Sequence, residues 1–347
     1  MRVLLGMSGG LDSTISALLL KEAGHTVVGL TLRTWHRAPI AMDQNIEKAQ
    51  SIAQQIGVDH HIADIRDTFK QVVVDYFCKE YLDGRTPNPC NRCNPKIKWP
   101  VLLDKAKELN CNHIATGHYV RKQLHNDQWY IKKGADPSKD QSYFLWNLNQ
   151  EILQKALFPL GNLTKKQVRE IALKNGFTAV AKQNESMGVC FLDGMNYRDF
   201  LSEHLGDDSL RPGNIVDENG EILGRHNGLA HFTIGQKKGL GLKDNTYFVL
   251  HLDAKNNQVV VSKTASLKTH QIALSEYYLT EPLAKNEKKN VAIRIRGIDK
   301  VPAIPGQLKI EDDQKLHVHF DEPAWGITPG QSIVFYWDDL VIGGGIV

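Results

Sequence analysis

Cysteine is scarce and odd in number, five among 347 residues. That excludes a regular disulfide framework and, in a reducing cytosol, directs attention to reactive or metal-binding thiols. No apolar run approaches bilayer-spanning length. The first predicted strand begins almost at Met1, which leaves no stretch for a signal or transit segment. The expectation is a cytoplasmic protein, most simply a bacterial one, with no membrane partner. A strong charge balance is missing too: 42 Lys and Arg against 39 Asp and Glu give +3, too little alone to announce a nucleic-acid partner. The basic doublets Arg121-Lys122, Lys132-Lys133, Lys165-Lys166, Lys237-Lys238 and Lys288-Lys289 read singly as solvated surface. No internal repeat or low-complexity tract is present. What remains is ordinary globular composition, 41% hydrophobic and 23% charged, in a chain long enough to bury a core without staples.

The first third alternates strand and helix. Residues 3–6, 27–32, 61–63 and 113–116 read as strands. Residues 11–23, 45–56, 68–82 and 97–109 read as helices, the first closed by Gly24. Such alternation predicts parallel strands with crossover helices, hence an α/β sheet. "TKKQVREIALKN" (164–175) opens with a capping box, Thr164 and Gln167, and predicts a helix. Beyond residue 209, "DENGEILGRHNG" and "DAKNNQVVVS" carry hairpin turn signals. Strands are expected at 291–298, 307–310, 315–320 and 332–337. Boundaries near 208 and 268 divide the chain into an α/β domain (1–208), a small β-rich module (209–268) and a C-terminal β-barrel-like domain (269–347).

Chemistry enters at "VLLGMSGGLDST" (3–14), where the first strand runs into Ser-Gly-Gly-Leu-Asp-Ser. Two glycines allow close backbone approach to a ligand, and a helix N-terminus favours a phosphate. Ser8, Ser13 and Thr14 add hydroxyls, and Asp12 is placed to cap the helix. The stretch has neither the Lys of G-x-x-x-x-G-K-[ST] nor the spacing of G-x-G-x-x-G.

"GRTPNPCNRCNPKIKW" (84–99) holds Cys90 and Cys93 at C-x-x-C spacing behind two stiffening prolines. Cys190 lies in "NESMGVCFLDG"; Cys78 and Cys111 are most simply buried. Structural zinc lacks a second C-x-x-C. A redox dithiol leaves the glycine loop unexplained. Sulfur transfer uses one thiol as a persulfide carrier and a second to attack the sulfur link, against an activated carbon.

Ser-Gly-Gly-x-Asp-Ser after an N-terminal strand resembles the pyrophosphate loop of the ATP-dependent adenylating enzymes. The blocks "GRTPNPCNRCN", "IATGHYVR", "KDQSYFLW", "LFPLGNLTKKQVREIA", "FTIGQKKGLG", "ITPGQSIVFY" and "GGGI" resemble, in order, those of the tRNA-specific 2-thiouridylases. The resemblance covers nearly the whole chain. It implies an adenine nucleotide α hydrolase-like N-terminal domain and ATP-dependent 2-thiolation of a tRNA wobble uridine, with adenylation of the C2 oxygen before sulfur replaces it. It implies Cys93 as nucleophile and Cys190 as persulfide carrier. ATP with Mg2+ falls to Gly6, Met7, Ser8, Gly9, Gly10, Leu11, Asp12, Ser13, Leu32 and Gly117. Contact with tRNA falls to Asn88, Pro89, Cys90, His118, Lys139, Asp140, Gln141, Arg294, Ile295 and Gln331. An upstream persulfide donor protein and a monomeric state are further expectations.

The chain departs from the family pattern at Cys90, where many relatives carry Asp. Cys90, Cys93 and Cys190 thereby offer three ligands for a four-iron–four-sulfur cluster with one open iron; the persulfide route without a cluster stays equally open. "LRTWHRAP" (32–39) replaces an acidic stretch, "KQNESMGVC" (182–190) changes the surroundings of Cys190, and Arg-Ile-Arg-Gly (294–297) replaces Arg-Tyr-Arg-Gln. The competing readings are another adenylating ligase or amidotransferase of the same loop superfamily, a non-catalytic tRNA-binding protein, and an iron–sulfur scaffold.

Overall fold

The computed structural model describes residues 1–36, 39–183, 188–206, 210–263, 267–297, 302–311 and 314–347. It divides into two compact units: Met1–Val73, Cys90–Gly194 and Asp338–Ile342 form the first, and Val74–Pro89, Met195–Trp337 and Gly343–Val347 the second.

In chain order the first unit begins β1 (Arg2–Gly6), α1 (Leu11–Glu22), β2 (Thr26–Arg33), α2 (Pro39–Ile56), β3 (Asp59–Asp64) and α3 (Arg66–Phe69). The next helix, α4 (Asp75–Leu82), belongs to the second unit. The first unit resumes with α5 (Cys90–Cys93), α6 (Trp99–Glu108), β4 (His113–Ala115), the hairpin β5 (Val120–His125) and β6 (Gln128–Lys133), α7 (Gln150–Lys155), β7 (Ala156–Leu157), α8 (Lys165–Lys174) and α9 (Thr178–Ala181). Its sheet runs β3-β2-β1-β4-β7, parallel throughout. The sequence-predicted α/β architecture is therefore present. β1 reads as one apolar run because both its faces are covered: Val3, Leu4 and Leu5 are fully buried. Ile15 and Ala17 of α1 join Val3 and Leu5 in a core shared with Ile52 and Ala53 of α2 and Val168 and Ala172 of α8. The capping box of α8 forms in both directions, Thr164 and Gln167 each bonding the other's backbone N–H.

Three local predictions change. α2 begins at Pro39 rather than 45, since proline fits a first helical turn. The helix predicted over 68–82 is interrupted by a π-turn at Lys70–Val74. The helix predicted from 97 opens as a π-turn over Asn94–Lys98 and becomes regular at Trp99. The β5–β6 hairpin was not anticipated; Asn126 and Asp127 turn it with φ of 46° and 59°, as a two-residue loop matched to strand twist requires.

The second unit adds α10 (Tyr197–Leu205), whose Tyr197 stacks on Tyr81 of α4 at 4.8 Å. β8 (Gly213–Val216), β9 (Ile222–His226), β10 (Phe248–Asp253) and β11 (Gln258–Ser262) follow. They make a four-stranded sheet ordered β10-β11-β8-β9 over a core of Ile215, Phe232, Val249, Val259 and Val261. β12 (Lys268–Leu274), β13 (Glu276–Leu279), β14 (Lys288–Arg294), β15 (Ile304–Ile310), β16 (Leu316–Trp325), β17 (Ser332–Trp337) and β18 (Leu340–Ile346), whose residues Leu340–Ile342 are counted with the first unit, build the C-terminal sheet, with β12-β16-β15-β14-β17-β18 in order and β13 on β18. The sequence boundary at 208 falls outside the described residues.

Candidate active site

The loop after β1 sits where ligands bind in open α/β sheets, at the carboxyl ends of the strands. Met7 N–H bonds Leu30 O, and Thr31 Oγ1 donates to Met7 O; this ties the loop to β2 two residues before Leu32. Ser8 N–H donates to Ser13 Oγ at 3.2 Å. Gly10 occupies the N-cap of α1 and offers no side-chain acceptor to the first-turn amides. A Cβ on Gly10 would meet only Ser8 Oγ, at 3.5 Å. The first turn thus suits an anion.

Two glycines of the proposed ATP site are also required by packing. A Cβ on Gly9 would lie 3.0 Å from Asn45 O and 3.1 Å from Ala49 N, and its φ is +72°. Gly9 therefore admits the backbone of α2. A Cβ on Gly117 would lie 2.9 Å from Asp12 C, so Gly117 brings the end of β4 against the first turn of α1.

Asp12 does not cap α1. Its carboxylate accepts from Lys165 Nζ at 2.7 and 2.9 Å and from Tyr119 Oη at 2.8 Å.

Cys90 and Cys93 open and close the single turn α5. Asn94 Nδ2 donates to Phe144 O at 2.7 Å, and Asn147 Nδ2 to Asn91 O at 3.3 Å; these bonds pin the turn to the segment that follows Lys139–Gln141. Cys190 starts a 3₁₀ turn whose Phe191 is fully buried, edge-on to Phe69 at 6.1 Å and Trp35 at 6.5 Å. His36 Nδ1 and Asp193 Oδ2, 2.9 Å apart, close the turn from the other side. The unfamiliar stretch after β2 thus holds Cys190.

All five cysteines are free thiols, Cys78 buried and Cys111 half-buried rather than buried as expected. The three site thiols feel one another. Burial first, then Cys93 and Cys90, push Cys190 up to about 12. Burial pushes Cys93 up to about 11, against a lowering pull from Lys98. Cys90 is raised by burial, with Lys98 again opposing. Cys90 and Cys190 are exposed residues; their open flank tempers the desolvation without reversing its direction. Among the described residues Lys98 is the cation that acts on all three sulfurs, and its backbone N–H also bonds the Cys93 sulfur. The same ammonium reaches His118, which burial and Lys98 hold well below its ordinary value. Thr116 Oγ1 lies 2.7 Å from His118 Nδ1, and the ring stacks on buried Trp99. His118 follows Gly117, so one peptide links the phosphate cradle to the thiols' cation.

Asp140 and Gln141 work inside the protein. Asp140 accepts from Gly134 N–H and from Ser142 N–H and Oγ, and Gln141 Oε1 accepts from Tyr119 N–H. In the second unit, Asn88 N–H donates to Gly330 O and Gln331 Nε2 to Thr86 O at 2.7 Å. Two residues far apart in sequence, Asn88 and Gln331, are neighbours there. Arg294 Nε donates to Arg296 O, and Arg296 lies over the Trp325 ring at 5.7 Å.

Lys98, Trp99, Tyr119, Lys165, Trp35 and His36 were not assigned from sequence. A loop without its own lysine was the available signal for Lys165.

A parallel sheet with a Ser-Gly-Gly-Leu-Asp-Ser turn at its strand ends defines a nucleotide-binding α/β protein of the pyrophosphate-loop class. Three family models match the chain: tRNA methyl transferase HUP domain over residues 1–194, tRNA methyl transferase PRC-barrel domain over 198–263, and Aminomethyltransferase beta-barrel domain over 269–347. The tRNA-specific 2-thiouridylase MnmA 2 of Phocaeicola vulgatus is 42% identical over 347 residues, covering 100% of this chain and 97% of the relative. MnmA 2 of a Thermoanaerobacter species is 41% identical over 361 residues, with the same coverages. Among solved structures, the U34-tRNA thiolase NcsA of Methanococcus maripaludis, with its 4Fe–4S cluster, is 18% identical at a TM-score of 0.37, covering 59% of this chain and 64% of that one. The chain belongs to the tRNA-specific 2-thiouridylase family.

Proposed function

We propose that Cys190 carries the incoming sulfur and Cys93 releases it in the ATP-dependent 2-thiolation of a tRNA wobble uridine, the reaction of this family. Methyl transfer, the term in two of the family descriptions, needs neither a phosphate cradle nor paired thiols; sulfur transfer by adenylation needs both. The observation that carries the reading is that Cys90 and Cys93, the two ends of one helical turn, both bear on Cys190 of a distant segment, with His118 leading back to the cradle.

The cradle residues Gly6 to Ser13, with Leu32 and Gly117, bind ATP; Mg2+ supplies charge neutralisation to the phosphates. Displacement at the α-phosphorus by the uridine C2 oxygen expels pyrophosphate and makes C2 electrophilic. The terminal sulfur on Cys190 then bonds to C2 as AMP departs. Cys93 attacks the Cys190 sulfur, so the sulfur stays on the base and a Cys93–Cys190 disulfide forms. An external dithiol restores both. Asn88, Pro89 and Cys90 face the base. His118, Lys139, Asp140, Gln141, Arg294, Ile295 and Gln331 contact the tRNA, the cations Lys139 and Arg294 through phosphates.

Among the described residues no three His, Cys, Asp or Glu groups are placed around a single metal ion; Cys90, Cys93 and Cys190 are the residues that would hold a four-iron–four-sulfur cluster. No step is derived through one. No helix among the described residues is long and apolar enough to cross a membrane. A cytoplasmic monomer served by a persulfide donor protein, divided at 208 and 268, completes the reading. Incubation with ATP, a persulfide source and tRNA, followed by nucleoside mass analysis, should yield 2-thiouridine. Pyrophosphate release without that product would overturn the assignment of the thiols.

A further inference from the structure

The cradle has a chemical gap: from Val3 to Leu20 there is no lysine or arginine, although the pyrophosphate leaving group gathers negative charge there. We infer that Lys165, delivered from the start of α8, is the phosphate-binding cation of the Ser8–Ser13 loop. The inference rests on reading that loop as the ATP site.

Lys165 is the first residue of α8. Its backbone N–H donates to Asp136 Oδ2 at 3.0 Å, and the reciprocal Thr164–Gln167 cap fixes the helix end it departs from. Its ammonium contacts both Asp12 oxygens and lies 5.4 Å from the centre of the Tyr119 ring. The side chain is only 12% exposed. Ordering a long flexible side chain this far costs rotamer entropy.

Placement argues against a purely structural ion pair. Asp12 lies in the first turn of α1, the positive end of that helix dipole, where a cation is unfavourable and an anion favourable. Tyr119 already bonds the Asp12 carboxylate. A bound phosphate would reverse the sign of the local problem: it accepts from the α1 amides and meets the ammonium directly.

In the adenylation step the uridine oxygen forms its bond to the α-phosphorus as the bond from that phosphorus to the bridging oxygen breaks. Pyrophosphate leaves with the bonding pair, and the pyrimidine N3 proton passes to solvent. Lys165 stabilises the charge on the departing oxygens, the role a P-loop lysine plays from within its own loop.

Four proteins test this: Lys165→Met, Lys165→Arg, Asp12→Asn and the double variant Asp12→Asn/Lys165→Met. The readouts are tRNA-dependent pyrophosphate release, calorimetric binding of inorganic pyrophosphate, tRNA binding and thermal unfolding. Lys165→Met should lower pyrophosphate release by about 100-fold and weaken inorganic pyrophosphate binding, with tRNA binding kept. Lys165→Arg should recover part of both. The double variant should stay as inactive as Lys165→Met. Recovery of the double variant to the level of Asp12→Asn would overturn the inference, since the lysine would then only neutralise Asp12. Unchanged pyrophosphate binding in folded Lys165→Met would overturn it equally. Should the wild-type protein release pyrophosphate without making 2-thiouridine, the thiolation reading fails while the lysine result stands on binding.

Discussion

Trp99 lies nearly parallel to His118, ring centroids 6.1 Å apart and planes 22° from parallel. The indole takes solvent from one face of the imidazole, and Lys98 opposes a second positive charge nearby. His118 is therefore neutral at physiological pH, and it can contact RNA by hydrogen bonding but not by charge. In an NMR titration its ring signals should stay unprotonated below pH 6.5, and Lys98→Met should move the midpoint back toward the ordinary value. The unfolded chain takes up this proton first, so His118 should cost stability as pH falls below 6.5 toward its depressed midpoint.

Cys93 should alkylate slowly at neutral pH. Burial favours the thiol over the thiolate, so the reactive fraction grows with rising pH and levels off only near its value of about 11. Iodoacetamide labelling followed by peptide mass analysis should rise about tenfold per pH unit between 8 and 10. Lys98→Met removes a charge that favours the thiolate and should slow labelling further. A plateau below pH 9 would contradict the burial of this sulfur.

Cys93→Ala and Cys190→Ala should each abolish 2-thiouridine formation while tRNA binding stays within about twofold, as expected for groups acting on the reacting atoms rather than on docking. Retained turnover in Cys93→Ser or Cys190→Ser would favour a different adenylating ligase. The comparison needs only filter binding and nucleoside mass analysis on one protein preparation.

The His36–Asp193 contact positions the Cys190 turn and touches no reacting atom. His36→Ala should reduce sulfur transfer about fivefold, the weight of a hydrogen bond of about 1 kcal/mol. Pyrophosphate release should be unaltered, because the cradle does not use that contact. Equal losses in both half-reactions would show that the bond supports the domain at large.

Gly9→Ala should destabilise the protein even without nucleotide, by about 1–2 kcal/mol for the left-handed backbone alone, with the crowding of α2 added. Thermal unfolding of the nucleotide-free protein measures this. A variant of unchanged stability with weakened ATP binding would show that ligand approach, not packing, sets the demand for glycine there.

Much of the first unit was legible because its signals are local. The apolar run of β1, the stripe of α2 and the Thr164–Gln167 box each reflect a constraint within a few residues. The two π-turns were not legible, since Lys-Gln-Val-Val-Val and Asn-Pro-Lys-Ile-Lys carry no pattern that separates a π-turn from an α-turn. The packing demand on Gly9 was not legible, because a sequence cannot show that α2 passes within van der Waals reach. Lys165 looked like half of a solvated doublet; only the fold reveals that Lys165 is nearly enclosed while Lys166 is 87% exposed. Asn88 and Gln331 became neighbours through bonds to the carbonyls of Gly330 and Thr86, pairings that sequence separation conceals.

The protonated sulfurs carry a consequence for the protein between turnovers. Peroxides attack the deprotonated form, and over-oxidation to sulfinic acid is irreversible for most proteins. A trio of thiols whose surroundings disfavour ionisation therefore ages slowly in the presence of stray oxidants. The protection comes from the same desolvation that makes unassisted thiol chemistry slow, so durability and low intrinsic reactivity are two results of one environment.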